Sequence, residues 1–190
     1  MSWSLSPLAP QEPKLLDAFF LVVGRALHLA NAYEYKCQYV LRVGNLITAH
    51  QAGPALSLEE ILAAAPADKL LGETLRGLAA HAMGQTTDMS TLHKARKARN
   101  FIAHEGASIG SMWSASSNHI LRHAAKLRVA VTDLAHGDNI ISQWCHGLDE
   151  PHQPPSTDWI KRYPKTVDAW VFGSLGALLP DEGLLPQADS

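Results

Sequence analysis

Cysteine is scarce: Cys37 and Cys145 are the only two in 190 residues, and they stand far apart. No CxxC or CxxxC occurs, which excludes a zinc site built on cysteines and a disulfide framework. Two thiols with apolar neighbours suit a reducing compartment. An excess of one charge is lacking too. Sixteen Lys+Arg against 18 Asp+Glu leave −2, so the chain is no polycation that coats nucleic acid as a whole, although a local basic face remains open to it. Long apolar runs are also missing. Ala18 to Val23 is bracketed by Asp17 and Arg25, far short of the ~20 residues that cross a bilayer. Met1 to Pro13 carries no charged region ahead of an apolar stretch, so a signal peptide is not expected. Together these absences predict a soluble cytoplasmic protein with no membrane partner.

Proline is absent between Pro13 and Pro54 and again between Pro66 and Pro151, while six of the eleven fall in the last forty residues. Proline breaks helix interiors by removing a donor and clashing with the preceding turn. The two free stretches are therefore permissive for helix. Hydrophobic residues at 46% and charged residues at 18% describe a folded chain of about one domain.

Periodicity places the helices. Leu15, Phe19, Val22, Ala26, Leu29, Tyr33, Cys37, Val40, Gly44 and Ile47 recur every three or four residues, one helical stripe from about Pro13 to His50 with possible kinks at Gly24 or Gly44. Ser57-Leu58-Glu59-Glu60 has a capping-box pattern that starts a short helix. Leu70 to Met83 reads as another. Asp88 can cap a helix that runs into Ala103 to Gly106. A last long stripe comprises Ile120, Ala124, Leu127, Val131, Leu134, Ile141, Cys145 and Leu148, with Asp138 interrupting the seam and Gly137 a possible break. No segment alternates as a strand would. The expected fold class is all-α, a bundle on two long helices. It divides into an arm at 1–12, the bundle at 13–150 and a Pro/Gly-rich appendage at 151–190 packed on it.

Chemistry concentrates in His93-Lys94-Ala95-Arg96-Lys97-Ala98-Arg99-Asn100-Phe101-Ile102-Ala103-His104-Glu105. From Met89 to Thr132 seven basic residues (Lys94, Arg96, Lys97, Arg99, Arg122, Lys126 and Arg128) face the single acid Glu105. A phosphodiester is the common counterpart of such a segment; a solvated basic helix face is the plainer account. On a helix, Asn100 and His104 lie about 40° apart and one turn apart, and His93 and Lys97 continue that face. Arg99 lies about 140° from His104. A site that uses both needs an irregular helix end or a second copy of the helix.

Arg99-Asn100-Phe101-Ile102-Ala103-His104 is an R-x4-H motif with a polar residue directly after the arginine, late in the chain and just before the final long helix. In this it resembles the HEPN superfamily, small all-α nucleotide-binding bundles. The resemblance implies a bundle with two long antiparallel helices and a homodimer whose two motifs meet in one cleft. Its implied activity is a metal-independent endoribonuclease with no cofactor, a toxin or antiphage effector with a possible cognate antitoxin. His104 would then move the proton, Arg99 would hold the phosphorane oxygens, and Asn100 would orient His104 or bind phosphate or ribose. His93, Lys94, Arg96 and Lys97 would position RNA. A non-catalytic dimeric module that binds nucleotide or a partner protein is the alternative. Gly106 stands where many such toxins carry a tyrosine two residues after the histidine, so modification there is not implied.

Other matches carry less. Arg76-Gly77-Leu78-Ala79-Ala80-His81 repeats R-x4-H with small apolar residues inside it and without basic surroundings. Gly106-Ala107-Ser108-Ile109-Gly110 spells G-x-S-x-G, but a nucleophile elbow needs a strand before it, and a helix precedes it here. His119 and His123 are spaced i,i+4 without a third local ligand. They read as surface histidines, and Trp113, Trp144, Tyr33 and Tyr39 as core or contact residues.

Overall fold

The computed structural model describes residues 10–51, 57, 60, 71–80, 86–110 and 114–178. Among them every regular element is a helix. These are α1 (Pro13–Gln51), α2 (Leu71–Ala80), α3 (Thr86–Glu105), α4 (Ser117–Asp149) and α5 (Thr157–Gly176). α1 is continuous for 39 residues, through both Gly24 and Gly44. Its buried line follows the sequence stripe from Phe19 to Gly44. At the ends the stripe drifts, with Leu16 buried beside a half-buried Leu15, and Ile47 45% exposed. By length and composition α1 could cross a membrane, with mean hydropathy 1.4 over its most apolar window. That window is wider than the Ala18–Val23 run suggests. In this fold its buried stripe belongs to the common core.

The two long helices, α1 and α4, run parallel, not antiparallel as the resemblance implies. Glu12, just before α1, accepts from Ser117 Oγ at the start of α4, Lys36 meets Asp138, and Tyr39 donates to Asp149, so partners advance together along both helices. The physical reason is α3. It returns the chain between them, with Leu92 beside Tyr33 and its C-terminal end beside His123. The crossing of the three is tight. A Cβ on Gly137 would stand 2.2 Å from that of Ala95 and 3.4 Å from Tyr33 Cε2. Gly137 does not break α4; it lets α3 approach.

Caps account for several boundaries. Ser57 and Glu60 form the reciprocal capping box, with Ser57 N donating to Glu60 Oε2 (2.8 Å) and Glu60 N to Ser57 Oγ (3.2 Å). The remainder of that expected helix lies outside the described residues. Ser116 caps α4 by accepting from His119 N, and Ser156 caps α5 by accepting from Trp159 N. Gly106 closes α3 by donating to Ile102 O (3.2 Å), at an approach where a Cβ would stand 2.5 Å from that oxygen.

The C-terminal segment expected as a Pro/Gly-rich appendage contributes α5. Val167, Val171, Phe172 and Leu175 are buried in the same core as α1 and α4. The helix passes through Pro164, which has no N–H for the carbonyl of Ile160. Asn139 of α4 donates to that carbonyl instead (2.8 Å). Asp138, which interrupts the apolar seam, is wholly buried and fully served. Lys36 Nζ lies 3.0 Å from both its oxygens and 2.9 Å from Ser142 Oγ, and the Tyr163 hydroxyl donates to it as well. A buried carboxylate is tolerated only with such partners. This one joins α1, α4 and α5.

Candidate functional site

α3 is held in the bundle by Leu92, Ala95, Ala98 and Ile102. That choice of inner face decides where its polar side chains go. Lys97, Asn100 and His104 are exposed and His93 is half-buried, and all four fall on one outward stripe. Arg99 turns the other way. Its guanidinium forms an ion pair with Glu34 of α1, both side chains being only 22% exposed. Arg99 Nη1 also donates to Asn100 Oδ1 (3.3 Å), while its Nε is buried without a partner. Arg96 also leaves the stripe. Its Nη1 would lie 3.8 Å from a Cβ on Gly72 of α2, and its Nε too is buried and unpartnered.

Arg99 and Asn100 are therefore brought together, and Asn100 and His104 share an open face one turn apart. Arg99 and His104 do not converge within one chain, because α3 stays helical through Glu105. Of the two routes open to a site using both, an irregular helix end is thus absent and the second copy is left. Arg96 does not join Lys94, Lys97 and His93 as an outward-facing cation.

His123 has a role the sequence did not disclose. It is not a free surface histidine. Its Nε2 donates to the carbonyl oxygens of Glu105 (3.2 Å) and Gly106 (3.1 Å), and its ring sits beside Phe19 and Phe101 at 5.7 and 6.2 Å. It serves the carbonyl that ends α3 and the next one in the turn beyond it, neither of which has a partner within the helix, and so holds the end of the helix just after His104. The i,i+4 spacing to His119 was the visible signal and pointed elsewhere. Among the described residues no three His, Cys, Asp or Glu side chains lie together as metal ligands.

The basic segment divides by what its members touch. Arg128 is committed to Asp168 through two hydrogen bonds (2.7 and 2.6 Å) and lies over the Phe172 ring. The Asp168 carboxylate raises its pKa above the ordinary arginine value. Lys94, Lys97, Arg122 and Lys126 are exposed and form no ion pair among the described residues. They border two adjoining cavities. One, of about 440 Å³ between α3 and α4, is lined by Lys94, Lys97, Ala98, Phe101, Lys126, Val129, Ala130 and Asp133. The other, of about 120 Å³, is lined by His119, Arg122, His123 and Lys126. Lys126 belongs to both. Arg122 and Lys126 were visible in sequence only as part of the basic segment; the pairing of α3 with α4 makes them neighbours of the stripe.

The weaker motifs resolve as expected or fall outside the described residues. Gly106–Gly110 is the turn after α3, with Gly110 at φ +71° and no strand before it. Arg76 pairs with Glu73 on α2 (3.8 Å), and His81 and Trp113 lie outside the described residues. Tyr33 is buried, its hydroxyl donating to Leu92 O (2.7 Å), and Trp144 packs at the edge of the core. No family model, curated protein or solved structure matches the chain.

Proposed function

We propose that the protein is a metal-independent endoribonuclease of the HEPN type, acting as a cytoplasmic homodimer with a composite site. The observation that carries this reading is the exposed His104 in the last turn of α3, one turn from Asn100, beside a face with four exposed cations, Lys94, Lys97, Arg122 and Lys126. RNA supplies its own nucleophile. The 2′-oxygen attacks phosphorus, the bond from phosphorus to the 5′-oxygen breaks, and the ends are a 2′,3′-cyclic phosphate and a 5′-hydroxyl. One His104 accepts the 2′-hydroxyl proton, and His104 of a second copy delivers a proton to the leaving oxygen. Such general acid–base catalysis is worth ~10²–10⁴ in rate.

The motif's other residues then act in series. Glu34 holds Arg99, and Arg99 holds the oxygen of Asn100, which turns the Asn100 amide N–H groups outward to a phosphate or ribose. The Arg99 guanidinium adds positive charge behind the reacting phosphate. Lys94 and Lys97 bind the backbone without reading sequence. Toxin or antiphage action, with a cognate antitoxin, follows from the resemblance alone.

The Arg99–Glu34 pair is also the observation that favours the second reading, a dimeric module that binds nucleotide or protein without cutting. An arginine whose terminal nitrogens are paired inside its own chain does structural work in either case. Purified protein incubated with total RNA and chelator separates the two. Cleavage that leaves cyclic phosphate ends and disappears in His104→Ala, with dimer mass and helicity unchanged, supports the enzyme. Cleavage that chelator abolishes removes the mechanism. Full activity of His104→Ala removes the site.

A further inference from the structure

We infer that the groove between α3 and α4 is the seat for one unpaired nucleobase of the RNA; the inference rests on the ribonuclease reading above. The floor is apolar, and it includes Val129, which is 52% exposed. A β-branched side chain so placed contributes little to the core, yet it stands among Lys94, Lys97 and Lys126. Apolar floor and cationic rim together match a ligand with a flat ring and an anionic backbone. The volume of about 440 Å³ falls within the range of built small-molecule sites.

Position decides between ligands of that chemistry. Lys97 lies both on the His104 stripe and on the groove rim, so a strand whose phosphates follow the stripe passes the groove mouth. An acidic peptide would satisfy the same lysines, but nothing ties it to the stripe. The base must be unpaired. A base stacked and paired within an A-form helix must give up a few kcal/mol of stacking and pairing to enter a cleft between two helices, whereas bases in loops, bulges and ends splay onto Phe101 without that cost. Asp133 is the acid on the rim. Its carboxylate accepts from an exocyclic amino group, which adenine, cytosine and guanine carry and uracil lacks. The groove thus selects single-stranded RNA with an amino-bearing base beside the cut.

The test is fluorescence anisotropy of labelled adenosine and uridine pentanucleotides and of a blunt duplex, read on His104→Ala protein so that cleavage does not intervene. The adenosine oligomer is expected to bind about tenfold more tightly than the uridine oligomer, which lacks the amino donor for Asp133, and than the duplex, whose bases are not free to stack on Phe101. Val129→Glu and Lys126→Glu, both at exposed positions, should each weaken it about tenfold or more. Asp133→Asn should bring adenosine and uridine oligomers together. Unchanged adenosine binding in Val129→Glu and Lys126→Glu overturns the inference, as does duplex binding equal to that of the single strand, or a groove that takes an acidic peptide and no oligonucleotide. The two readings fail separately. RNA cut normally by Val129→Glu leaves the ribonuclease and removes the seat. Oligomer binding that depends on Val129, with no cleavage by the unaltered protein, does the reverse.

Discussion

Arg99 of α3 is held by Glu34 of α1, an ion pair that joins two helices far apart in sequence. The pair is partly buried, so its worth lies between that of a surface pair, about 0–1 kcal/mol, and the 3–5 kcal/mol lost when a fully buried pair is broken. Arg99→Ala and Glu34→Ala are each expected to cost about 1–3 kcal/mol in urea denaturation. The double variant should cost less than their sum by about 1 kcal/mol. His104→Ala, at an exposed position, should leave stability within about 0.5 kcal/mol. A cleavage loss in Arg99→Ala therefore has to be read against its stability, and one in His104→Ala does not. Additive single variants would show that Arg99 and Glu34 do not act on one another.

Asn139 and Pro164 form a second coupled pair, through the Ile160 carbonyl they both concern. Asn139→Ala leaves that oxygen unserved inside the α4–α5 contact, an expected loss of about 1–2 kcal/mol. Pro164→Ala restores the N–H that an uninterrupted helix would supply. The decisive measurement is the cycle: in the Pro164→Ala background, Asn139→Ala should cost distinctly less than in the natural chain. Equal costs in both backgrounds would show that Asn139 does not stand in for the missing donor.

Much of this fold was legible in the sequence because it is written locally. The i, i+3, i+4 stripes of α1 and α4, the Ser57–Glu60 box and the proline-free stretches depend on neighbours within one turn. Helix direction was not legible. Parallel or antiparallel placement of α1 and α4 depends on how α3 runs between them, and its contacts, such as Ala95 against Gly137, span 41 intervening positions that no local pattern reports. Asp138 read as a fault in the seam because its partners, Lys36 and Tyr163, come from two other helices. The site divides in the same way. The angle between Arg99 and His104 followed from helix geometry, and their separation was readable. The commitment of Arg99 to Glu34, of Arg128 to Asp168 and of His123 to the end of α3 are all contacts between helices. They decided which cations of the basic segment remain free.

Gly137 makes a prediction about packing. An added methyl there meets Ala95 Cβ at 2.2 Å, with Thr91 O and Tyr33 Cε2 close behind. The substitution Gly137→Ala gains helix propensity, up to about 1 kcal/mol, and overpacks the α3–α4 crossing at a cost of about 1–3 kcal/mol. Overpacking wins, so the variant should unfold at lower urea than the natural protein. Ala95→Gly in the same chain should recover part of the loss, since it removes the methyl in the way. A more stable Gly137→Ala protein would mean that the three helices have room to separate at this crossing.

Alkali should unfold the protein early. Burial raises the Cys145 thiol from 9.0 to about 11, and raises the Cys37 thiol and the Tyr33 and Tyr163 hydroxyls further still, with the neighbouring Asp138 carboxylate adding to the effect at each. Above their ordinary values the unfolded chain gives up protons that the folded protein retains. Stability must then fall as pH rises. Their contribution is complete below about pH 9 and erodes towards about pH 11, where Cys145 itself ionises. Thiols titrate first in the unfolded chain, so they govern the start of the decline. Replacing both, in Cys37→Ala/Cys145→Ala, will lower the melting temperature at neutral pH through the small cavities left behind, but it should flatten the melting temperature's dependence on pH between about pH 8.5 and 10. A slope that survives the double replacement unchanged would assign the decline to groups other than the two thiols.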